Sequence, residues 1–128
     1  MKNILKTVIV LAGVVAPLLA QTVFAQTEET KMAEGIKATL NVVTSSNMVD
    51  LMLISSKTGK VITDAKVFTK IKGPDGKVQE KDLLGMQMGE VFSYMNNVDM
   101  AKKGSYSFDI SVEIGKKKVK FNFVYEVK

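Results

Sequence analysis

A strict alternation of apolar and polar side chains near the C-terminal end constrains this sequence more than any other feature. Apolar residues occupy every second position from Tyr106 to Ile114, and again from Val119 to Val127. An α-helix repeats its apolar positions about every 3.6 residues, whereas a strand repeats them every two. Gly115-Lys116 separates the two runs, so the region predicts two strands joined by a tight hairpin. We expect the inward set to be Phe108, Ile110, Val112, Phe121, Phe123 and Tyr125.

Shorter candidate strands lie upstream at 36–42, 65–71 and 91–98, and a nearly continuous apolar run at 48–54 and a short polar stretch at 77–83 bring the number to seven. Turn signals separate them, the strongest being Gly73-Pro74-Asp75-Gly76. Short strands with turns about every 8–12 residues are typical of an antiparallel sandwich. We therefore predict an all-β, antiparallel, immunoglobulin-like β-sandwich of about seven strands over 36–128, preceded by a flexible polar tail over 26–35.

The first 25 residues have the three parts of a secretory signal. Lys2 and Lys6 flank its start, the apolar run Val8–Ala20 follows, and Val23-Phe24-Ala25 supplies a cleavage site after Ala25. Cleavage after Ala20 is one alternative. A retained anchor is another, although a spanning helix needs about 20 apolar residues. We predict a signal peptide over 1–25, whose removal leaves 103 of the 128 residues as a periplasmic or secreted protein without a membrane span.

The residue types that are missing exclude most catalytic chemistry. The sequence contains no histidine, cysteine, tryptophan or arginine. Nucleophilic systems of the Ser-His-Asp and Cys-His kinds cannot be built without histidine or cysteine, and neither can an ordinary zinc site. Glu80 and Asp82 form a close carboxylate pair on one strand face, which is typical of a solvated surface. We predict that the protein is not an enzyme.

The charge of the chain gives little indication of a ligand. Loss of Lys2 and Lys6 with the signal lowers the formal net charge from +5 to +3. Nucleic-acid surfaces usually combine arginine forks with aromatic platforms, and arginine is missing here. We therefore expect no nucleic-acid partner. A lysine cluster at the last hairpin leaves open a module that binds anionic envelope polymers, through Lys116, Lys117, Lys118 and Lys120.

Seven methionines follow the predicted cleavage site: Met32, Met48, Met52, Met86, Met88, Met95 and Met100. Thioether sulfur is a soft ligand that selects Cu(I). In an extended segment, Met86 and Met88 point to the same side with Cα atoms about 6.6–6.8 Å apart. Met95 or Met100 then completes a trigonal site, so Met86, Met88, Met95 and Met100 are the candidate metal ligands. Core packing or a methionine-lined contact surface is the alternative.

The methionine pair lies in Leu84-Gly85-Met86-Gln87-Met88-Gly89-Glu90, which we predict to be a connection bracketed by glycines. A connection of purely structural importance would more often carry polar residues there. The segment is therefore the one that we expect to carry the function, through either a soft metal or a partner.

From about Leu40 to Val127 the sequence resembles the YtkA-like and FixH-like group of small exported immunoglobulin-like domains. The group's strand opening, G-K-P-V-x-x-A-x-V, is similar to the segment Gly59-Lys60-Val61-Ile62-Thr63-Asp64-Ala65-Lys66-Val67. Gly73-Pro74-Asp75-Gly76 is similar to its P-D-G turn, and 104–110 to its closing strand. The sequence departs from the group at Val61-Ile62 and lacks the histidines of its metal-handling members. The resemblance implies a sandwich and an accessory role in the envelope, sometimes in copper or oxidase maturation.

Three functions follow from these observations. The first is a non-enzymatic binding or accessory domain that acts through a protein partner in the cell envelope. The second is a periplasmic Cu(I) carrier or sensor that uses Met86 and Met88. The third is the lysine-based module for anionic polymers.

Overall fold

The computed structural model describes residues 26–128, which fold into eight antiparallel strands and one turn of 3-10 helix, Thr44–Ser46. The strands are β1 (Gln26–Ala33), β2 (Ile36–Val43), β3 (Met48–Ser55), β4 (Lys66–Lys72), β5 (Val78–Met88), β6 (Val91–Asn97), β7 (Gly104–Ile114) and β8 (Lys117–Val127). The all-β antiparallel prediction is confirmed, with one strand more than the expected seven. The predicted signal peptide lies outside the described residues.

The strands form two sheets that share β5. Their order is β1-β2-β3-β6-β5-β4-β7-β8. The beginning of β5, as far as Leu83, pairs with β4, and the remainder, from Leu84 to Met88, pairs with β6. We call β1, β2, β3, β6 and the end of β5 the first sheet, and the beginning of β5 with β4, β7 and β8 the second sheet.

The two outermost strands, β1 and β8, approach each other and nearly close the sandwich into a barrel. Lys31 on β1 joins them, because its Nζ donates to the carbonyl oxygen of Asn122 at 2.5 Å. The same ammonium lies 5.5 Å from the ring centroid of Phe123, within the range of a cation–π contact. The edges of the fold are therefore held together by side chains rather than by a ladder.

The core lies between the sheets and is filled mainly by every second residue of β2, β3, β4, β7 and β8. The long pair β7 and β8 contributes Phe108, Ile110, Val112, Phe121 and Phe123, all buried as predicted. Tyr125, the remaining member of the predicted set, is half-buried and packs against this cluster. β2 and β3 face this pair with Ile36, Ala38, Leu40, Val42, Val49, Leu51 and Leu53.

The segment 26–35 is a strand and a turn, so the prediction of a flexible tail is wrong. β1 pairs with β2 over its full length, from Gln26 opposite Val43 to Ala33 opposite Ile36. A two-residue turn joins them, with φ of 48° at Glu34 and 81° at Gly35. Backbone hydrogen bonds hold this edge strand, which buries little side-chain surface, and its sequence consequently shows no apolar alternation.

The segment 84–90 is also more regular than predicted. β5 continues as far as Met88, and only Gly89 and Glu90 form the turn to β6. Gly85 does not act as a hinge. The ring of Phe92 lies over it, and a Cβ at Gly85 would come within 2.7 Å of the ring's Cζ. The absence of a side chain at Gly85 thus allows the ring of Phe92 to pack against the backbone of β5.

Candidate metal site on the methionine face

Three of the four predicted ligands share the outward face of the β5–β6 hairpin. In the ladder, Met86 lies opposite Ser93, Met88 opposite Val91 and Met95 opposite Leu84. Residues that lie directly opposite each other point to the same side of a sheet, as do residues two apart on one strand. Met86, Met88 and Met95 therefore project from the same face, on the side away from the core.

The neighbouring strand β3 adds a fourth methionine, Met52, which is not among the predicted ligands. Asp50 on β3 lies opposite Met95, and the ladder between β3 and β6 ends one residue later, at Leu51–Tyr94. Met52 is two residues beyond Asp50 and so points to the same face. It stands diagonal to Met95, at the distance of about 7–8 Å that long side chains can span. We call Met52, Met86, Met88 and Met95 the methionine face.

Burial shows that Met95 is at the centre of this face. Its side chain is 8% exposed, yet it is not part of the core cluster between the sheets. Ser93, two residues away on the same strand, is also buried. By contrast, Met86 is 49% and Met88 56% exposed. Only the neighbouring side chains of the outward face can cover Met95 and Ser93, and the diagonal neighbours of Met95 include Met52 and Met86.

Met100 lies elsewhere, which differs from the prediction. It is buried in the core between the sheets. The chain leaves β6 at Asn97, and the backbone N–H of Met100 donates to Oδ1 of Asn47 at 3.1 Å. This contact holds the segment over the end of the sandwich and turns Met100 inward. Its sulfur is consequently separated from Met95 by the first sheet itself.

The remaining two methionines are less suited to the site. The sulfur of Met48 accepts a hydrogen bond from Nδ2 of Asn97 at 3.2 Å, so it already has a polar partner. Met32 is 63% exposed and lies on β1, at the far edge of the sheet.

The donor set of the methionine face is soft. Among residues 26–128 there is no group of three or more histidine, cysteine, aspartate or glutamate side chains that could hold a metal ion. The four thioethers favour Cu(I) over hard cations, and Asp50, opposite Met95, adds one carboxylate beside them. A groove of about 430 Å³ opens beside the face, lined by Met52, Ile54 and Val91 and by six polar or charged residues of β1, β2 and β3, Asp50 among them. The groove reaches the methionine face at Met52, and Met86 is itself half exposed to solvent.

The outward face of the second sheet has a different character. Glu113 lies between Lys66 and Lys118 on the adjacent strands, and Asp109 lies beside Lys70. Lys117 is engaged as well, because its Nζ donates to the carbonyl oxygen of Glu34 at 2.6 Å. Of the lysines at the last hairpin, Lys118 thus lies opposite a carboxylate and Lys117 is bound to a backbone carbonyl, so these lysines do not form one free basic patch.

Within the described part of the chain, no helix is both long and apolar enough to cross a membrane.

Comparisons with known proteins identify the fold through solved structures alone. No protein-family model and no curated protein matches this sequence. The resemblance to the YtkA-like and FixH-like group therefore stays a prediction.

Several solved structures have the same fold at low sequence identity. FetP of uropathogenic Escherichia coli, expressed in the E. coli periplasm, is 12% identical, with a TM-score of 0.64 over 82% of this chain and 99% of FetP. Copper-reconstituted P19 of Campylobacter jejuni is 12% identical, with a TM-score of 0.64 over 80% and 96% of the two chains. A DUF4426 family protein of Pseudomonas aeruginosa is 18% identical, with a TM-score of 0.65 over 78% and 94%. The chain thus shares the antiparallel β-sandwich fold of FetP, P19 and the DUF4426 family protein.

Proposed function

We propose that this chain is an exported, non-enzymatic protein that binds Cu(I) through the thioethers of its methionine face. The observation that carries the proposal is the position of Met95, which is buried outside the core with a methionine diagonal to it on each adjacent strand. Met52, Met86 and Met95 are the proposed ligands, and Met88 lies next to them at the end of the hairpin.

The spacing of these residues suits a trigonal thioether site. Met52 and Met86 are on strands that flank β6, with the small side chain of Ser93 between them. Methionine has three rotatable bonds and an adaptable shape. Because diagonal neighbours are about 7–8 Å apart, their side chains can bring three sulfurs onto one ion above Ser93. Cu(I) would be the soft acceptor, and the chain would supply the three thioether donors and their separation.

The solved structures support this function over the others. The structures that share the fold include copper-reconstituted P19 and a copper-bound FetP variant. Both are different proteins at 12% identity, so the support lies in what this fold accommodates rather than in matched ligands. The predicted signal peptide and the periplasmic expression of FetP together support a periplasmic or secreted location.

One hydrogen bond supports the finer, immunoglobulin-like description of the sandwich. The hydroxyl of Tyr106, near the start of β7, donates to the carbonyl oxygen of Lys102 at 2.6 Å. A tyrosine that bonds back to the backbone a few residues upstream is typical of immunoglobulin-like sandwiches.

A protein partner in the envelope is the second candidate function. Leu84, Met86, Met88 and Val91 are each about half exposed, and together they form an apolar patch on one hairpin. Such a patch is a candidate contact surface. The anionic-polymer alternative is less favoured, because Glu113 and Asp109 stand among the lysines of the second sheet.

A Cu(I) competition titration separates these functions. We expect the parent protein to bind one Cu(I) per chain, and the triple variant Met52→Leu/Met86→Leu/Met95→Leu to bind at least about tenfold more weakly. Leucine keeps the apolar volume and removes the donor sulfur. The matched control is Met32→Leu, which we expect to bind as the parent does.

Circular dichroism of each variant establishes that folding is unchanged. A parent that does not bind Cu(I), or a triple variant that binds it unchanged, would remove the copper function. The apolar patch would then remain as a contact surface for a protein partner.

A further inference from the structure

A short stretch of β5 has a free edge. The ladder with β4 ends at Val67–Leu83, whereas the ladder with β6 continues to Met88–Val91. Over 85–88, β5 therefore pairs on one side only among the described residues. The backbone N–H and C=O groups on the other side face outward, and such groups readily pair with an added strand.

This edge also lacks the charges that protect the two outermost strands. β1 carries Glu28, Glu29 and Lys31, and β8 carries several lysines. Charged side chains, lysine above all, discourage pairing at exposed strand edges. Between Leu84 and Gly89 the sequence holds no charge, and its outward side chains are largely exposed. The free edge of β5 is thus open to an added strand.

The sequence of the free edge reads the same in both directions. Gly85-Met86-Gln87-Met88-Gly89 is a palindrome centred on Gln87. Two identical strands that pair antiparallel about a two-fold axis place each residue opposite its mirror position in the segment. A palindrome therefore matches glycine with glycine and methionine with methionine, so that small and large residues stay in step on both halves of a two-fold interface.

We propose that the free edge of β5 binds the same edge of a second copy of this chain, forming an antiparallel, two-fold homodimer centred on Gln87. Met86 then lies opposite Met88 of the second copy, and Gln87 lies opposite its own equivalent. The pairing begins beyond Leu83, where β4 already occupies the edge. It also brings Glu90 of the second copy toward Lys66 at the start of β4, a residue of opposite charge.

Dimerisation does not depend on the proposed copper site. Backbone hydrogen bonds and apolar contacts form this interface, so it should exist in metal-free protein. All measurements of the dimer are therefore made on the exported protein with a Cu(I) chelator present, and failure of the dimer would leave the copper titration unaffected.

Analytical ultracentrifugation over a range of protein concentrations gives the first test. We expect the apparent mass to rise from one chain toward two, because a four-residue edge makes a small and reversible interface. Met88→Lys adds a charge to the edge and should keep the protein monomeric. The matched control, Met32→Lys on β1, should dimerise as the parent does. A parent that is monomeric throughout would overturn the proposal.

Disulfide trapping tests the register, because the chain has no cysteine of its own. In the proposed dimer the two Gln87 Cβ atoms are about 4.5–5.5 Å apart, close enough for a disulfide after small adjustment. Under mild oxidation, Gln87→Cys should form covalent dimers much faster than Val124→Cys, whose side chain on β8 is also exposed. Equal rates for the two variants would show that any dimer uses another surface.

Discussion

The outward faces of the two sheets carry different side chains, although their inward faces are built alike. On the second sheet, lysines alternate with carboxylates across the strands, as at Lys66, Glu113 and Lys118. Among residues 26–128 only Lys102 and Asp75 come within ion-pair distance, so the facing charges of this sheet interact across solvent rather than in contact. On the first sheet, Met52, Met86, Met88 and Met95 form a face without such pairing.

This difference indicates which outward face is needed only for solubility and which one is available for binding. The charged face is well solvated and needs no ligand or partner to cover it. The methionine face exposes apolar surface at Met86 and Met88 while burying Met95 outside the core, which gives no evident advantage in solubility. Because the core does not require these methionines, the outward face of the first sheet is where we expect a ligand or partner to bind.

The largest expected effect tests the shared inward face. Phe123 on β8 is fully buried, and Phe123→Ala should lower the free energy of unfolding by about 3–5 kcal/mol, through lost transfer energy and a residual cavity. The adjacent Val124 is 57% exposed, so Val124→Ala should change it by less than about 0.5 kcal/mol. Urea unfolding measures both. A loss below about 1 kcal/mol for Phe123→Ala would mean that the inward face is wrongly assigned.

A smaller effect is expected beneath the methionine face. The hydroxyl of Tyr94 on β6 donates to the carbonyl oxygen of Ile62 at 2.8 Å and accepts from the N–H of Ala65 at 3.1 Å. Tyr94→Phe leaves both backbone groups without this partner and should cost about 1–3 kcal/mol in urea unfolding. Tyr125→Phe, which removes a half-buried hydroxyl from β8, is the control.

Copper binding should be less sensitive than stability to this change. The ring of Tyr94 lies on the core side of β6, and Tyr94→Phe keeps the strand in place. We expect Cu(I) affinity to stay within about threefold of the parent. A parallel loss of affinity and stability would show that the methionine face is not independent of the core side.

Surface charge should contribute still less to the free energy of unfolding. Asp75 accepts a hydrogen bond from the N–H of Lys77 and pairs with Lys102 at 3.1 Å, and these contacts lower its pKa below the ordinary value of 3.8. Because the folded state favours the ionised form, the contribution is present above pH 3.8 and is lost as the pH falls through the folded-state pKa. Asp75→Asn should therefore lower stability slightly at neutral pH and remove that part of the acid dependence. Identical acid titrations of parent and variant would contradict this.

The smallest expected effect is that of pH on copper binding. Histidine is the side chain whose unperturbed pKa falls between about pH 5 and 8, and neither histidine nor cysteine occurs here. Thioethers carry no proton to lose. Cu(I) affinity should therefore be constant across that range in a competition titration with a calibrated chelator. A steep rise with pH would indicate ligands other than methionine.

Much of the fold could be predicted because side-chain alternation depends on local sequence. The runs at 106–114 and 119–127 predicted β7, β8 and their inward residues. β1 could not be predicted in this way, since an edge strand held by backbone pairing leaves no apolar pattern. Gly85 was misleading for a related reason. Glycine usually marks a turn, but here it makes room for the ring of Phe92.

The candidate site was only partly predictable, because it depends on strand pairing. Met86 and Met88 could be placed on one face from their spacing alone. Met52 joins them only because β3 pairs with β6. The two strands are far apart in the sequence, so their pairing could not be predicted from local patterns. Met100 is five residues from Met95, an odd spacing that would put the two on opposite faces even in a continued strand. Alternation therefore contained a signal that could have set Met100 apart.

Nuclear magnetic resonance of protein labelled with ¹³C in the methionine methyl groups tests the central claim most directly, because it reports on each sulfur separately. On addition of one equivalent of Cu(I), we predict large shifts for the methyl groups of Met52, Met86 and Met95, and none for Met32 or Met100. Single Met→Leu variants assign the resonances. Shifts confined to other methionines, or no shift at any of them, would contradict a Cu(I) site on the methionine face.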